Sequence, residues 1–131
     1  MHDIIKEYAS TNAYRWKPKD YTIDQHEGNS LCWDDITVYL TIQNNQLTHY
    51  RFDWNCSLIT KAAANFIGDL IEDSDIDQIF DWNYTTLQKE WFEVSPRRKR
   101  AAVIALIAIQ NALYRHKWID KKTSFEDMLY N

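Results

Sequence analysis

The sequence predicts an α+β fold: a small antiparallel sheet built on a hairpin core, covered on one face by helices, with a long buried helix near the C-terminus. Three observations predict it. Ile36, Val38, Leu40 and Ile42 alternate with Thr37, Tyr39 and Thr41, the period of a half-buried strand. Leu58, Ile59, Ala62, Ala63, Phe66, Ile67 and Leu70 recur at three- and four-residue spacing, the period of a helix. Ser95-Pro96 then opens a helix whose stretch from Ala101 to Ala108 is apolar nearly all round, as in a helix buried mid-domain.

Taken in order, residues 2–16 read as a modest amphipathic helix carrying Ile4, Ile5 and Tyr8, with Pro18 at or beyond its end. Residues 17–31 are polar and mixed, and Gly28-Asn29-Ser30 reads as a turn. Asn44-Asn45 is the hairpin turn, because Asn tolerates the left-handed backbone region. The return strand, Leu47 to Trp54, puts Tyr50, Phe52 and Trp54 on one face and Leu47, His49 and Arg51 on the other. Ser74 with Asp77 reads as the start of a short helix through Phe80. Thr85 or Thr86 caps another that carries Leu87, Trp91 and Phe92. The helix after Ser95 runs to about Trp118, and residues 119–131 form a short helix or a tail. Trp82, Trp91 and Trp118 are expected in packed positions.

At 131 residues, 45% apolar and 26% charged, the chain is long enough for one core, so residues 1–131 are read as a single domain. The net charge of −4 argues against a general nucleic-acid binder. No apolar stretch approaches the ~20 residues that cross a bilayer, so no membrane is expected. Cys32 and Cys56 are too few for a disulfide framework, and a reducing cytoplasm is the expected location. No nucleophile elbow or phosphate loop is present, and Gly28 and Gly68 are too isolated to build one. The chain is therefore not read as an enzyme.

The chemistry-bearing residues cluster at the hairpin. Cys32 and Asp34 stand at the start of its first strand, and Cys56 just after its second. Antiparallel pairing brings those chain ends together, so two thiols and a carboxylate make a metal corner for zinc or iron. The same residues also read blandly, as two small buried hydrophobes and a strand-edge acceptor, and on oxidation the thiols can pair. Arg97, Arg98, Lys99 and Arg100 oppose the helix macrodipole in a first turn; a solvated face, a docking surface for an acidic partner or, with no reading motif beside it, nucleic acid accounts for them.

Three segments carry a family resemblance. Asn29-Ser30-Leu31-Cys32-Trp33-Asp34 resembles the Asn-Pro-x-Cys-Gly-Asp motif of NifU/IscU-type iron–sulfur cluster assembly scaffolds. Phe52-Asp53-Trp54-Asn55-Cys56-Ser57-Leu58-Ile59 resembles their Phe-x-Gly-x-Gly-Cys-x-Ile-Ser stretch, one residue shorter, with Ala62, Ala63 and Ala64 at the small-residue helix start. Ser95-Pro96-Arg97-Arg98-Lys99-Arg100-Ala101-Ala102 resembles the Pro-x-Arg-x-x-Cys-Ala motif of the long helix. The resemblance implies a scaffold that accepts sulfur from a cysteine desulfurase, works with other cluster assembly proteins, and holds an iron–sulfur cluster or zinc on three cysteines and an Asp. Carried over, Cys32, Asp34 and Cys56 are the ligands. The third cysteine falls on Ala101, which cannot ligate, so the site is expected to be weak or labile. Arg100 stands where some members have a histidine ligand, and Trp33 with Trp54 or Asn55 replaces glycines. His116 or another histidine is a further route to a missing ligand.

Overall fold

The computed structural model describes residues 3–29, 34–55 and 57–129. Strands β1 (Ile23–Asn29), β2 (Asp34–Gln43), β3 (Gln46–Asn55) and β4 (Ser74–Asp75) form one antiparallel sheet in sequence order. Helices α1 (Asp3–Ser10), α2 (Leu58–Ile71), α3 (Ile76–Ile79), α4 (Tyr84–Lys89), α5 (Lys99–His116) and α6 (Phe125–Leu129) complete it, with a 3-10 turn at Pro96–Arg98 leading into α5. The α+β reading and the long buried helix hold.

The core lies between the sheet and the α2–α5 pair. Ile36, Val38 and Leu40 from β2 and Tyr50 and Phe52 from β3 are fully buried, facing Ala62, Ala63 and Ile67 of α2 and Val103 to Leu113 of α5. Small residues on α2 let the helix approach closely. At Gly68 an added Cβ would stand 2.4 Å from a carbon of the Tyr14 ring. The hairpin turn is as expected: Asn44 and Asn45 both adopt positive φ, 52° and 62°, which suits the right-handed twist of the flanking strands.

Several local expectations are corrected. The first helix stops at Ser10, because Tyr14 to Trp16 leave it to bridge β3: the Phe52 amide donates to Tyr14 O and the Trp16 amide to Phe52 O, each at 2.9 Å. The polar stretch after Pro18 contains β1, whose Asp24, Gln25, His26, Glu27 and Gly28 give little strand signal; backbone pairing to β2 makes the strand. Leu47 is fully buried, on the face of Tyr50, because a bulge beside Thr41 and Ile42 shifts the register by one. The α3 cap is Asp75 and not Ser74, and α4 is capped by Asn83 in a box with Thr86. Trp91 and Trp118 are 82% and 94% exposed, not packed, while Trp82 does pack against the core.

Candidate functional site at the open end of the hairpin

The end of β1, the start of β2 and the end of β3 meet at one end of the sheet. Asn29 pairs with Asp34, and Asp35 pairs with Asn55. Cys32 falls in the connection between Asn29 and Asp34, and Cys56 follows Asn55. Both cysteines and Trp33 lie outside the described residues, as does the Asp34 side chain. The register therefore brings Asn29, Asp35 and Asn55, described residues on either side of the expected ligands, to one end of the sheet.

Immediately beyond, Ser57 caps α2, its Oγ accepting from the amides of Ile59 at 3.1 Å and Thr60 at 3.4 Å. The indole of Trp54 donates Nε1–H to Ser57 O at 3.1 Å, tying the last turn of β3 to the helix start. Two cations lie against that indole. The Arg15 guanidinium carbon is 4.4 Å from its centroid and 4.2 Å from that of Trp16, and Lys61 Nζ is 5.2 Å from the Trp54 ring. Lys61 is only 8% exposed. Burial, and then the nearby Arg15, push its pKa below the ordinary lysine value. On the sheet, His26 Nε2 lies 3.1 Å from Asp35 Oδ1, a pair spanning β1 and β2.

Helix α5 runs alongside β1 in the opposite direction. Arg115 reaches Asp24 O and Gln25, and Asn111 reaches Glu27. Its N-terminal end, with Ala101, therefore extends toward the Asn29 end of the sheet. Ala101 is half-buried against the core and offers only a methyl group. The basic run is laid out there as Arg97, Arg98 and Arg100 exposed, with Lys99 on the Tyr84 ring at 5.0 Å and Arg100 on Phe125 at 4.9 Å. None of the four forms an ion pair among the described residues.

His116 does not supply a ligand to this end. It closes α5 beside Ile23, which stands at the far end of β1, about 20 Å of strand away from Asn29. Among the described residues no group of three His, Cys, Asp or Glu side chains is arranged to hold a metal, and no helix is long and apolar enough to cross a membrane. Sequence reasoning missed Arg15, Lys61 and the His26–Asp35 pair. Lys61 left a signal, a lone cation inside an otherwise apolar helix face. The other two depend on contacts between segments far apart in the chain.

This fold is shared with solved proteins of the cluster assembly class. A candidate iron–sulfur cluster assembly scaffold protein for the SUF system from Fervidobacterium islandicum superposes with a TM-score of 0.70 at 14% identity, covering 86% of this chain and 96% of that one. The N-terminal domain of a nitrogen-fixing NifU-like protein from Brucella abortus gives 0.72 at 13% identity, covering 89% and 94%. At such identities the likeness shows the fold alone. The sequence goes further: the NifU-like N-terminal domain family model matches residues 9–123, and the chain belongs to that family of iron–sulfur cluster assembly scaffolds. The iron–sulfur cluster assembly scaffold protein IscU of Thermotoga maritima is 27% identical over 78 residues, which span 60% of this chain and 55% of the length of that relative.

Proposed function

We propose that this chain is a divergent cluster assembly scaffold that binds iron or zinc, or accepts sulfur, through Cys32, Asp34 and Cys56. The observation that carries the reading is the coincidence of a family match running through both cysteines with a strand register that pairs Asp35 with Asn55. Thiolates are soft ligands suited to zinc and iron, and a carboxylate completes a three-ligand set that leaves one metal position open. A [2Fe–2S] cluster takes four protein ligands. This chain offers three, because Ala101 has no donor atom, so a cluster is cargo held on an incomplete set and readily released. By family, the partners are a cysteine desulfurase or other cluster assembly proteins, the role is carriage and not catalysis, and the setting is the cytoplasm.

The test is metal content after anaerobic purification and loading. About one zinc or iron per chain is expected, as for a mononuclear three-ligand site. Cys32→Ala or Cys56→Ala should each lower retention by about tenfold or more, the size of effect that follows loss of a supporting ligand contact. Metal content at background, unchanged by either substitution, overturns the reading.

A second reading is a fold-retaining interaction or regulatory module of the assembly machinery without metal chemistry. The methyl group at Ala101 and the bulk of Trp54 at a glycine position favour it. Recovery of a cysteine desulfurase that is equal in the parent and in both cysteine variants, with no metal bound, selects this reading over the first.

A further inference from the structure

The end of α5 carries a side chain for which the single chain has no use. Trp118 occupies the left-handed position of the turn that closes the helix, with φ 58°, a region that glycine enters freely and a bulky side chain enters at a cost. The residue is 94% exposed, so burial within the chain does not offset that cost. Ile119 follows it and is 41% exposed. With Ile23, Arg115, His116 and Asp120 these two line a groove of about 660 Å³ at the far end of β1 from Asn29. Tryptophan and arginine are enriched among the residues that carry the binding energy of protein interfaces.

The chemistry of the lining says which partner fits. It holds one guanidinium, Arg115, and one carboxylate, Asp120, and neither forms an ion pair among the described residues. The cations nearby belong elsewhere: Lys117 is paired with Asp77, and Lys121 and Lys122 line a separate cavity with Asp81 and Asp127. Apart from the imidazole of His116, the groove is charge-balanced. That suits neither a strongly acidic or basic protein nor an anionic membrane surface. It suits a second copy of itself. A two-fold interface sets the same patch on both subunits, so that residue i meets j and j meets i. This patch supplies both halves of each match: a projecting ring and a groove, a cation and an anion.

We propose that this groove is the contact surface of a two-fold homodimer, in which Trp118 of each copy enters the groove of the other and Arg115 of each copy faces Asp120 of its partner. The apolar part of the patch is one tryptophan and two isoleucines, which places the dimer among weak interfaces that bury less than about 1,200 Å². Its dissociation constant is expected between about 1 μM and 1 mM. The contact lies at the opposite end of β1 from Asn29, so pairing leaves the open end of the hairpin uncovered, and the dimer does not depend on the metal reading.

The experiment is sedimentation over a range of protein concentrations, in reducing buffer and on the Cys32→Ser/Cys56→Ser double variant as well, so that no disulfide between copies contributes. A reversible monomer–dimer equilibrium is expected in both. Trp118→Gly should weaken it by about thirtyfold or more, the loss at an interface hot spot; this variant is expected to fold, because glycine suits the left-handed position. Asp120→Arg and Arg115→Glu should each weaken self-association, and an equimolar mixture of the two should recover it, because each then faces an opposite charge across the two-fold axis. Circular dichroism checks that every variant is folded; should Arg115→Glu not fold, Asp120→Arg, at an exposed loop position, carries the charge test alone. A parent chain that sediments as a monomer up to about 1 mM, the weak limit of the expected range, overturns the proposal, and so does a dimer of undiminished strength in Trp118→Gly. Unweakened Asp120→Arg, or a mixture of two folded charge variants that fails to recover pairing, overturns the two-fold arrangement.

Discussion

Asp69 shows how one side chain fixes the N-terminal segment. Its carboxylate accepts from the Tyr8 hydroxyl and, at 2.6 Å, from the Tyr14 hydroxyl, so two residues of the N-terminal segment anchor on α2. Asn65 adds bonds to the carbonyls of Tyr8 and Thr11 at 2.9 and 3.0 Å. Burial first, and then the hydrogen bond to Asp69, push the Tyr8 pKa from 10.0 up to about 12 and raise that of Tyr14 further. The folded state thus favours the protonated phenols. Their stabilisation is complete below pH 10 and is lost as the pH rises from there through about 12. Asp69→Asn should bring both titrations part of the way down, because burial remains. Tyrosinate absorbance near pH 11 should therefore be higher in the variant, by as much as two tyrosines; an unchanged titration curve would show that Asp69 contributes nothing.

At the level of elements, helix ends explain two exposed tryptophans. After α5, the Trp118 amide bonds to Arg115 O and the Ile119 amide to Tyr114 O; after α4, Trp91 and Phe92 repeat the pattern on Gln88 and Leu87. These are Schellman motifs, whose left-handed position normally holds glycine. Trp118 has φ 58° and Trp91 φ 71°, so a bulky side chain occupies a backbone region that glycine enters freely. The helices end two residues earlier, at His116 and Lys89, and the reversal turns the rings outward. Trp118→Gly should raise stability by about 1 kcal/mol, since the left-handed penalty of 1–2 kcal/mol is removed and little burial is lost. Urea unfolding reads this; a loss of stability on Trp118→Gly would mean that the ring packs where the structure leaves it exposed.

Across the whole molecule, α5 is the element that unites the layers. It contacts β1, β2 and α2, and buries Ala102 through Leu113 without a break. Its polar residues inside that run are satisfied by distant segments. Gln110 donates to Ile79 O and Trp82 O and accepts from Thr123, while Asn111 bonds Glu27 and the Thr123 amide. Leu106 is fully buried at the middle of this helix. Leu106→Ala should cost about 2–5 kcal/mol, in the range of large-to-small core changes. If the fold is one cooperative unit, fluorescence and far-ultraviolet circular dichroism will report the same lowered midpoint. A cost under 1 kcal/mol would place the core elsewhere.

The sequence by itself determined the hairpin, the α2 and α5 helices and the layering, because side-chain periodicity and turn chemistry are local properties that need no partner. It also located the open end of the hairpin, since antiparallel pairing follows from the Asn44-Asn45 turn, and it identified the family through three ordered motifs. Tertiary structure alone decided the rest. Strand β1 exists because β2 offers it backbone partners, not because Asp24 to Gly28 favour extension. Leu47 faces the core because a bulge at Thr41 and Ile42 overrides the period of two. Arg15 and Lys61 meet on Trp54 only because the N-terminal segment crosses β3 and α2 turns back over it, a meeting of three segments that no local pattern encodes.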